Sequence, residues 1–173
     1  DTEDIHIVYA GGIMSSYRNS DYFGGLQFHW LIDKLERQKI HFHIYPSPTL
    51  LKEHIVDYYE LDESHEYFHL HPSVKGEDLS KEMSQYHFGI LPFFHRTNKV
   101  LNEKRDYATT LKMYNYFEAG LPILLAEDLG FQNFIAGKYQ AGIKLSYDDF
   151  DAVRSKIKEI DYNAMVNSLL EKR

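Results

Sequence analysis

The sequence has no cysteine, which excludes disulfide bonds and thiolate metal sites. A chain without thiols suits a reducing compartment, so the cytoplasm is the expected location. A basic excess is also lacking: 26 acidic side chains stand against 19 basic ones, a formal charge of −7 at pH 7. Nucleic-acid-binding surfaces carry the opposite balance, so no nucleic-acid partner is expected. A small anionic ligand is still allowed, because a few local donors can hold a phosphate on an acidic protein. No apolar run approaches the roughly 18 residues of a membrane-spanning helix. The acidic start, Asp1-Thr2-Glu3-Asp4, does not resemble a secretory signal. Peripheral membrane attachment of a full-length protein stays open. GxSxG, HExxH, GxGxxG and Walker motifs are absent as well, so hydrolase and zinc-protease chemistry have no support.

What is present is the composition of a globular domain. The 173 residues are 43% hydrophobic and 26% charged, and one domain spanning the whole chain is expected. Aromatic residues reach 15%, with 14 tyrosines among them. Tyrosine suits pockets and half-buried sheet faces alike.

Short β-rich apolar runs alternate with longer helical patterns. Strands are expected over 5–10, 41–45, 67–70, 88–91, 121–126 and 142–145. Helices are expected over 24–38, 50–59, 76–86, 109–119, 129–136, 148–160 and 162–173. Strand–helix alternation implies parallel βαβ units, so the expected fold is Rossmann-like: three α/β/α layers around a parallel sheet of about six strands. In such sheets ligands bind beyond the carboxyl ends of the strands. That rule selects 11–16, 46–49, 71–75, 92–110 and 126–130.

Two of these segments suit phosphate. Gly11 and Gly12 form a turn whose backbone can approach a ligand closely, with Ser15 and Ser16 beyond it; a plain tight turn is the competing reading. Thr109 or Thr110 should open a helix, offering free amides, hydroxyls and a positive dipole end. Lys112 then sits one turn in, where the dipole disfavours a cation unless an anion is bound there. The polar stretch 95–107 is long for a connection in a compact domain. Arg96, nearest the strand end, is the phosphate or sugar candidate, whereas Lys99, Lys104 and Arg105 are read as a solvated loop.

The run Thr110-Leu111-Lys112-Met113-Tyr114-Asn115-Tyr116-Phe117-Glu118-Ala119-Gly120-Leu121-Pro122-Ile123 resembles the donor-site helix and following strand of GT-B glycosyltransferases. Lys112, Tyr116, Gly120, Pro122 and Ile123 match the pattern K-x-x-E-Y-x-x-x-G-x-P-V in register. Residues 7–12 resemble the first strand and glycine turn of that family's C-terminal domain. Residues 68–92 resemble its third strand, its short helix and the run that ends in proline.

The resemblance implies a domain that binds a nucleoside-diphosphate sugar, a UDP-sugar being favoured, with no resident cofactor and no metal. The diphosphate would lie against Gly11, Gly12, Thr109, Thr110 and Leu111. Lys112 would neutralise leaving-group charge, and the base would sit near His71 and Val74. Asn115 takes the place of the ribose-binding glutamate, and Tyr107 that of an acid often paired with it. The catalytic residues stay unassigned. A separate N-terminal domain would hold the sugar-containing acceptor, so this chain is expected to bind donor without turnover, as part of a two-domain enzyme. A non-catalytic nucleotide- or carbohydrate-binding module of the same fold and an unrelated flavodoxin-like domain are the alternatives.

His41 with His43, and His69 with His71, share faces of their strands. A metal would need a third ligand at useful spacing, which is not evident, so half-buried strand histidines are expected instead. Asp148, Asp149 and Asp151 look like a DxD motif, but they precede a helical pattern, and capping is the expected role.

Overall fold

The computed structural model describes residues 4–93, 107 and 109–172. Its centre is a six-stranded sheet in the order β3-β2-β1-β4-β5-β6. The strands are β1 (His6–Gly11), β2 (His41–Pro46), β3 (Phe68–Leu70), β4 (Phe88–Leu91), β5 (Ile123–Ala126) and β6 (Gly142–Leu145). Every pairing is parallel. The expected Rossmann-like class is therefore the observed one. β4 and β5 are buried along their whole length, as their continuous apolar runs require of strands covered on both faces.

The helices bounded within the described residues are α1 (Ser20–Phe23), α2 (His29–Arg37), α3 (Val56–Ser64), α4 (Gly76–Met83), α5 (Leu111–Glu118), α6 (Gly130–Tyr139), α7 (Val153–Lys158) and α8 (Tyr162–Lys172). The helix expected over 24–38 is broken instead. Gly24–Leu26 forms a 3-10 turn, and α2 begins at His29. The Gly24-Gly25 pair weakens any helix, and the Phe28 amide is taken by the Tyr58 hydroxyl at 2.9 Å. The helix expected over 50–59 starts later and runs on to Ser64. The segment expected as one helix over 148–160 splits into a 3-10 turn, Asp148–Asp151, followed by α7. There the Asp149 carboxylate accepts the Ser146 amide at 2.7 Å, while Ser146 Oγ accepts the Asp149 amide at 3.3 Å. This reciprocal pair is a capping arrangement, as expected of Asp149.

β1 is the first strand in sequence but the third in space. The chain builds outward to β3 and then returns to place β4 on the other side of β1. This reversal opens a crevice at the carboxyl ends of β1 and β4. Tyr116 of α5 closes the seam beneath it. Its fully buried ring lies directly on Gly89 of β4, where a methyl group would collide with Cγ. Its hydroxyl accepts the Ala10 amide and donates to the Ile90 carbonyl, both at 3.2 Å. One side chain thus ties both central strands to one helix.

Gly89→Ala is expected to cost about 1–3 kcal/mol, because the buried ring has nowhere to move. Gly137, inside α6 with open space around it, is the control: Gly137→Ala should raise stability by up to about 1 kcal/mol. Urea denaturation of both variants measures the two shifts.

Candidate functional site

α5 opens at the crevice. Thr110 is its N-cap, with extended backbone and no side-chain capping bond. Among the described residues the Thr110 hydroxyl makes no capping bond, so it and the first amides of the helix can face a ligand. Thr109 is exposed and Thr110 half-buried. Leu111 is 79% exposed, so its backbone, rather than a packed side chain, forms the lip of the site.

Lys112 turns inward from this lip. Its chain crosses Gly11, where a Cβ would strike Lys112 Cε. Its ammonium stands 5.7 Å from the centre of the Tyr9 ring. Gly11 has φ +150, and the close approach of Lys112 independently demands glycine there. Burial lowers the Lys112 pKa from the ordinary lysine value. Among the described residues no carboxylate pairs with it. A desolvated cation at a helix start opposes the helix dipole, and an anion would relieve both costs. The Gly12 carbonyl is held by the Tyr9 hydroxyl at 2.8 Å, which fixes the turn that faces the ammonium.

The structure thus brings together Gly11, Gly12, Thr110, Leu111 and Lys112. Asn115 is half-buried one turn further along α5, on the same side as Leu111 and Lys112. His71 stands apart, beyond the end of β3, with β2 between its strand and β1. It lines a cavity of about 330 Å³ with Pro46, Leu50, Tyr59, Pro72 and Ser73. Its ring stacks on Tyr45 at 4.4 Å. Val74 packs against the edge of the core and is not part of that lining. Arg96 lies outside the described residues.

A second cluster was not visible in the sequence. Asp57, 5% exposed at the start of α3, accepts the Ser16 amide at 2.8 Å, the Ser16 hydroxyl at 2.9 Å and lies 2.8 Å from His29 Nε2. This clasp holds the chain leaving the glycine turn against α2 and α3. Burial alone would raise the Asp57 carboxyl. The hydrogen bonds from Ser16 and Ser15, with His29 beside them, outweigh it and hold the group below the usual carboxylate value. In sequence, an acid in a first helical turn reads only as compensation of the dipole, so nothing distinguished Asp57.

The strand histidines are half-buried except His43, which is buried. Among the described residues no group of three or more histidines and carboxylates could hold a metal.

The fold and the crevice define a Rossmann-like α/β domain with a candidate site at the reversal of its strand order, and the comparisons specify the family. Residues 22–172 match the family described as "Glucosyltransferase 3-like, C-terminal domain", and the chain belongs to that family. No curated protein sequence matches it. Among solved structures, a trehalose-6-phosphate synthase studied with bisubstrate glycomimetics aligns with TM-score 0.57 at 11% identity, over 98% of this chain and 41% of that one. The E. coli trehalose-6-phosphate protein bound with UDP-2-fluoro glucose aligns at 0.57 and 10%, over 96% and 40%. TarM aligns at 0.54 and 14%, over 96% and 32%. At such identities these likenesses establish the fold. The chain spans well under half the length of each of these structures. No helix among the described residues is long and apolar enough to cross a membrane.

Replacing Asp57 by alanine leaves the Ser16 donors and His29 without their acceptor, and should cost about 3 kcal/mol. Because its carboxyl is held low in the folded state, the stability it contributes is complete above the unfolded value near 3.8 and is lost as pH falls below it. Asp57→Asn should therefore flatten the acid limb of a stability-against-pH curve, which chemical denaturation from pH 5 to pH 3 would measure.

Proposed function

We propose that this chain binds a nucleoside-diphosphate sugar, with uridine the favoured base, and that it serves as the donor half of a glycosyltransferase. One observation carries the reading. The Lys112 ammonium is desolvated, has no carboxylate partner among the described residues, and is laid across a glycine turn at the open end of a helix. That constellation offers one full positive charge, a dipole end and free amides within one small volume. A diphosphate matches it in charge and in acceptor count.

In this reading the diphosphate sits between Gly11-Gly12 and residues 109–112. The ammonium offsets charge that develops on the leaving diphosphate, an electrostatic contribution that grows toward the transition state. Asn115 contacts the ribose hydroxyls, donating through its amide nitrogen and accepting at its oxygen. The nucleoside extends along the carboxyl edge toward the cavity beside His71. No resident metal or cofactor is required, because the lysine and helix end take the role of a counter-ion. The acceptor lies on a second, N-terminal domain, and the isolated chain holds donor without turning it over. The likeness to a protein bound with UDP-2-fluoro glucose supports uridine as the first base to test.

Asn115 also favours a second reading. It puts an uncharged amide where the resemblance would place an acid, which suits a module that binds nucleotide sugar without catalysis. Activity of a full-length protein separates the two readings.

Calorimetric titration with UDP, and with GDP for comparison, tests the binding claim. We expect saturable binding of UDP that Lys112→Ala weakens at least about tenfold, the equivalent of 1.4 kcal/mol. Gly137→Ala should bind like the parent chain. An unchanged affinity in Lys112→Ala, or no binding of either nucleotide, would overturn the proposal.

A further inference from the structure

Six histidines lie together on one face of the sheet, most of them away from the crevice. They are His6 of β1, His41 and His43 of β2, His69 of β3, His71 just beyond it, and His87 just before β4. Their rings stack across the strands. Centroids are 4.4 Å apart for His6 and His41, 5.1 Å for His41 and His69, and 4.5 Å for His43 and His69. Nitrogen meets nitrogen at 2.9 Å between His6 Nδ1 and His43 Nε2, and at 2.9 Å between His43 Nδ1 and His71 Nε2. The distance is 2.8 Å between His41 Nδ1 and His69 Nε2. The His6 amide donates to His87 Nδ1 at 3.0 Å. The nitrogens pair off instead of converging on a point, so the arrangement is not that of a metal centre.

We propose that this array is an acid-sensitive latch, which joins β1, β2 and β3 through its ring-to-ring hydrogen bonds and releases them cooperatively on acidification.

The physical basis is a count of protons. Each nitrogen-to-nitrogen bond needs one hydrogen and one lone pair. The chain His6–His43–His71 has two such bonds and two outward nitrogens, so it can take up one extra proton with both bonds intact. A second extra proton forces two N–H groups to face each other. The pair His41–His69 also has room for one extra proton and not for two. His87 must keep its Nδ1 lone pair to accept the His6 amide. The six rings therefore accept two extra protons before a bond is lost, whereas six free imidazoles take up six near pH 5.

The surroundings set the same direction. Burial, then the neighbouring rings, push His6 down to about 4 and His43 down to about 2. Burial also lowers His69, His71 and His87. The groups that face the array from other elements are Asp4, Glu36, Asp62 and Glu82, which favour the protonated rings. The rings of Tyr45, Tyr67, Tyr86 and Tyr162 pack on the histidines. For a ring held neutral in the folded state, stability is complete above the unfolded value of 6.5 and drains away as pH falls below it. The window from pH 6.5 to 5 lies above the carboxylate range, so acids contribute little to it.

The test is urea denaturation of the chain at intervals from pH 7 to pH 5, with His69→Gln as a comparison. Between pH 6 and pH 5 the unfolding constant should rise by at least about 100-fold, the mark of two or more protons taken up on unfolding. His69→Gln, which removes one ring and keeps an amide in its place, should show a shallower dependence. Proton NMR of the ring C2 hydrogens gives an independent readout on the unaltered chain. His6 and His43 should stay neutral down to pH 5. A rise of less than about tenfold, the mark of fewer than one proton, or titration of His6 and His43 near 6.5, would overturn the proposal.

Discussion

The contact of the Tyr116 ring with Gly89 organises the rest of this domain. A parallel sheet whose order reverses beside its first strand has a seam there, bridged by no short connection. Here α5 crosses that seam, and Tyr116 locks it in place by occupying the space that a side chain on β4 would take. The hydroxyl then bonds to backbone on both central strands. Because Lys112 is one turn earlier on the same helix, fixing Tyr116 also fixes the direction of the ammonium. Gly89 and Gly11 are therefore two halves of one requirement: the first admits the ring, and the second admits the lysine that the ring aims.

This arrangement accounts for the proposed anion site on an acidic chain. Net charge describes the far field, whereas a bound phosphate responds to the nearest donors. At the crevice those donors are a helix end, a glycine turn and one desolvated cation. The Asp57 clasp keeps negative charge nearby, but its Oδ2 is engaged by Ser16 and His29 and the side chain is buried. The loop after the glycine turn is thus tethered to α2 and α3 through Ser16 and His29.

The sheet was legible in the sequence because β1, β4 and β5 carry apolar runs, while β2, β3 and β6 are short segments mixing apolar and polar residues, set off by glycine, proline or a polar turn. Helix limits were less legible. The Gly24-Gly25 pair hints at a break, but the start of α2 at His29 also rests on the Tyr58 hydroxyl, a residue 30 positions away from the amide it satisfies, and no local pattern encodes that contact. Lys112 and Gly11 were each readable as phosphate candidates, but their contact spans 101 positions and required the fold. Asp57 was hidden because a first-turn acid has a commoner explanation. The histidines were readable as pairs on single strands. Their union into one array follows from register, His6 opposite His41 and His43 opposite His69, which a single sequence does not disclose.

A crystal structure of this chain grown with UDP would probe the central claim most directly. The diphosphate is expected within hydrogen-bond reach of Lys112 Nζ and the first amides of α5, with the Tyr116 ring still seated on Gly89. A diphosphate bound elsewhere, or an ammonium turned away from it toward solvent, would contradict that claim.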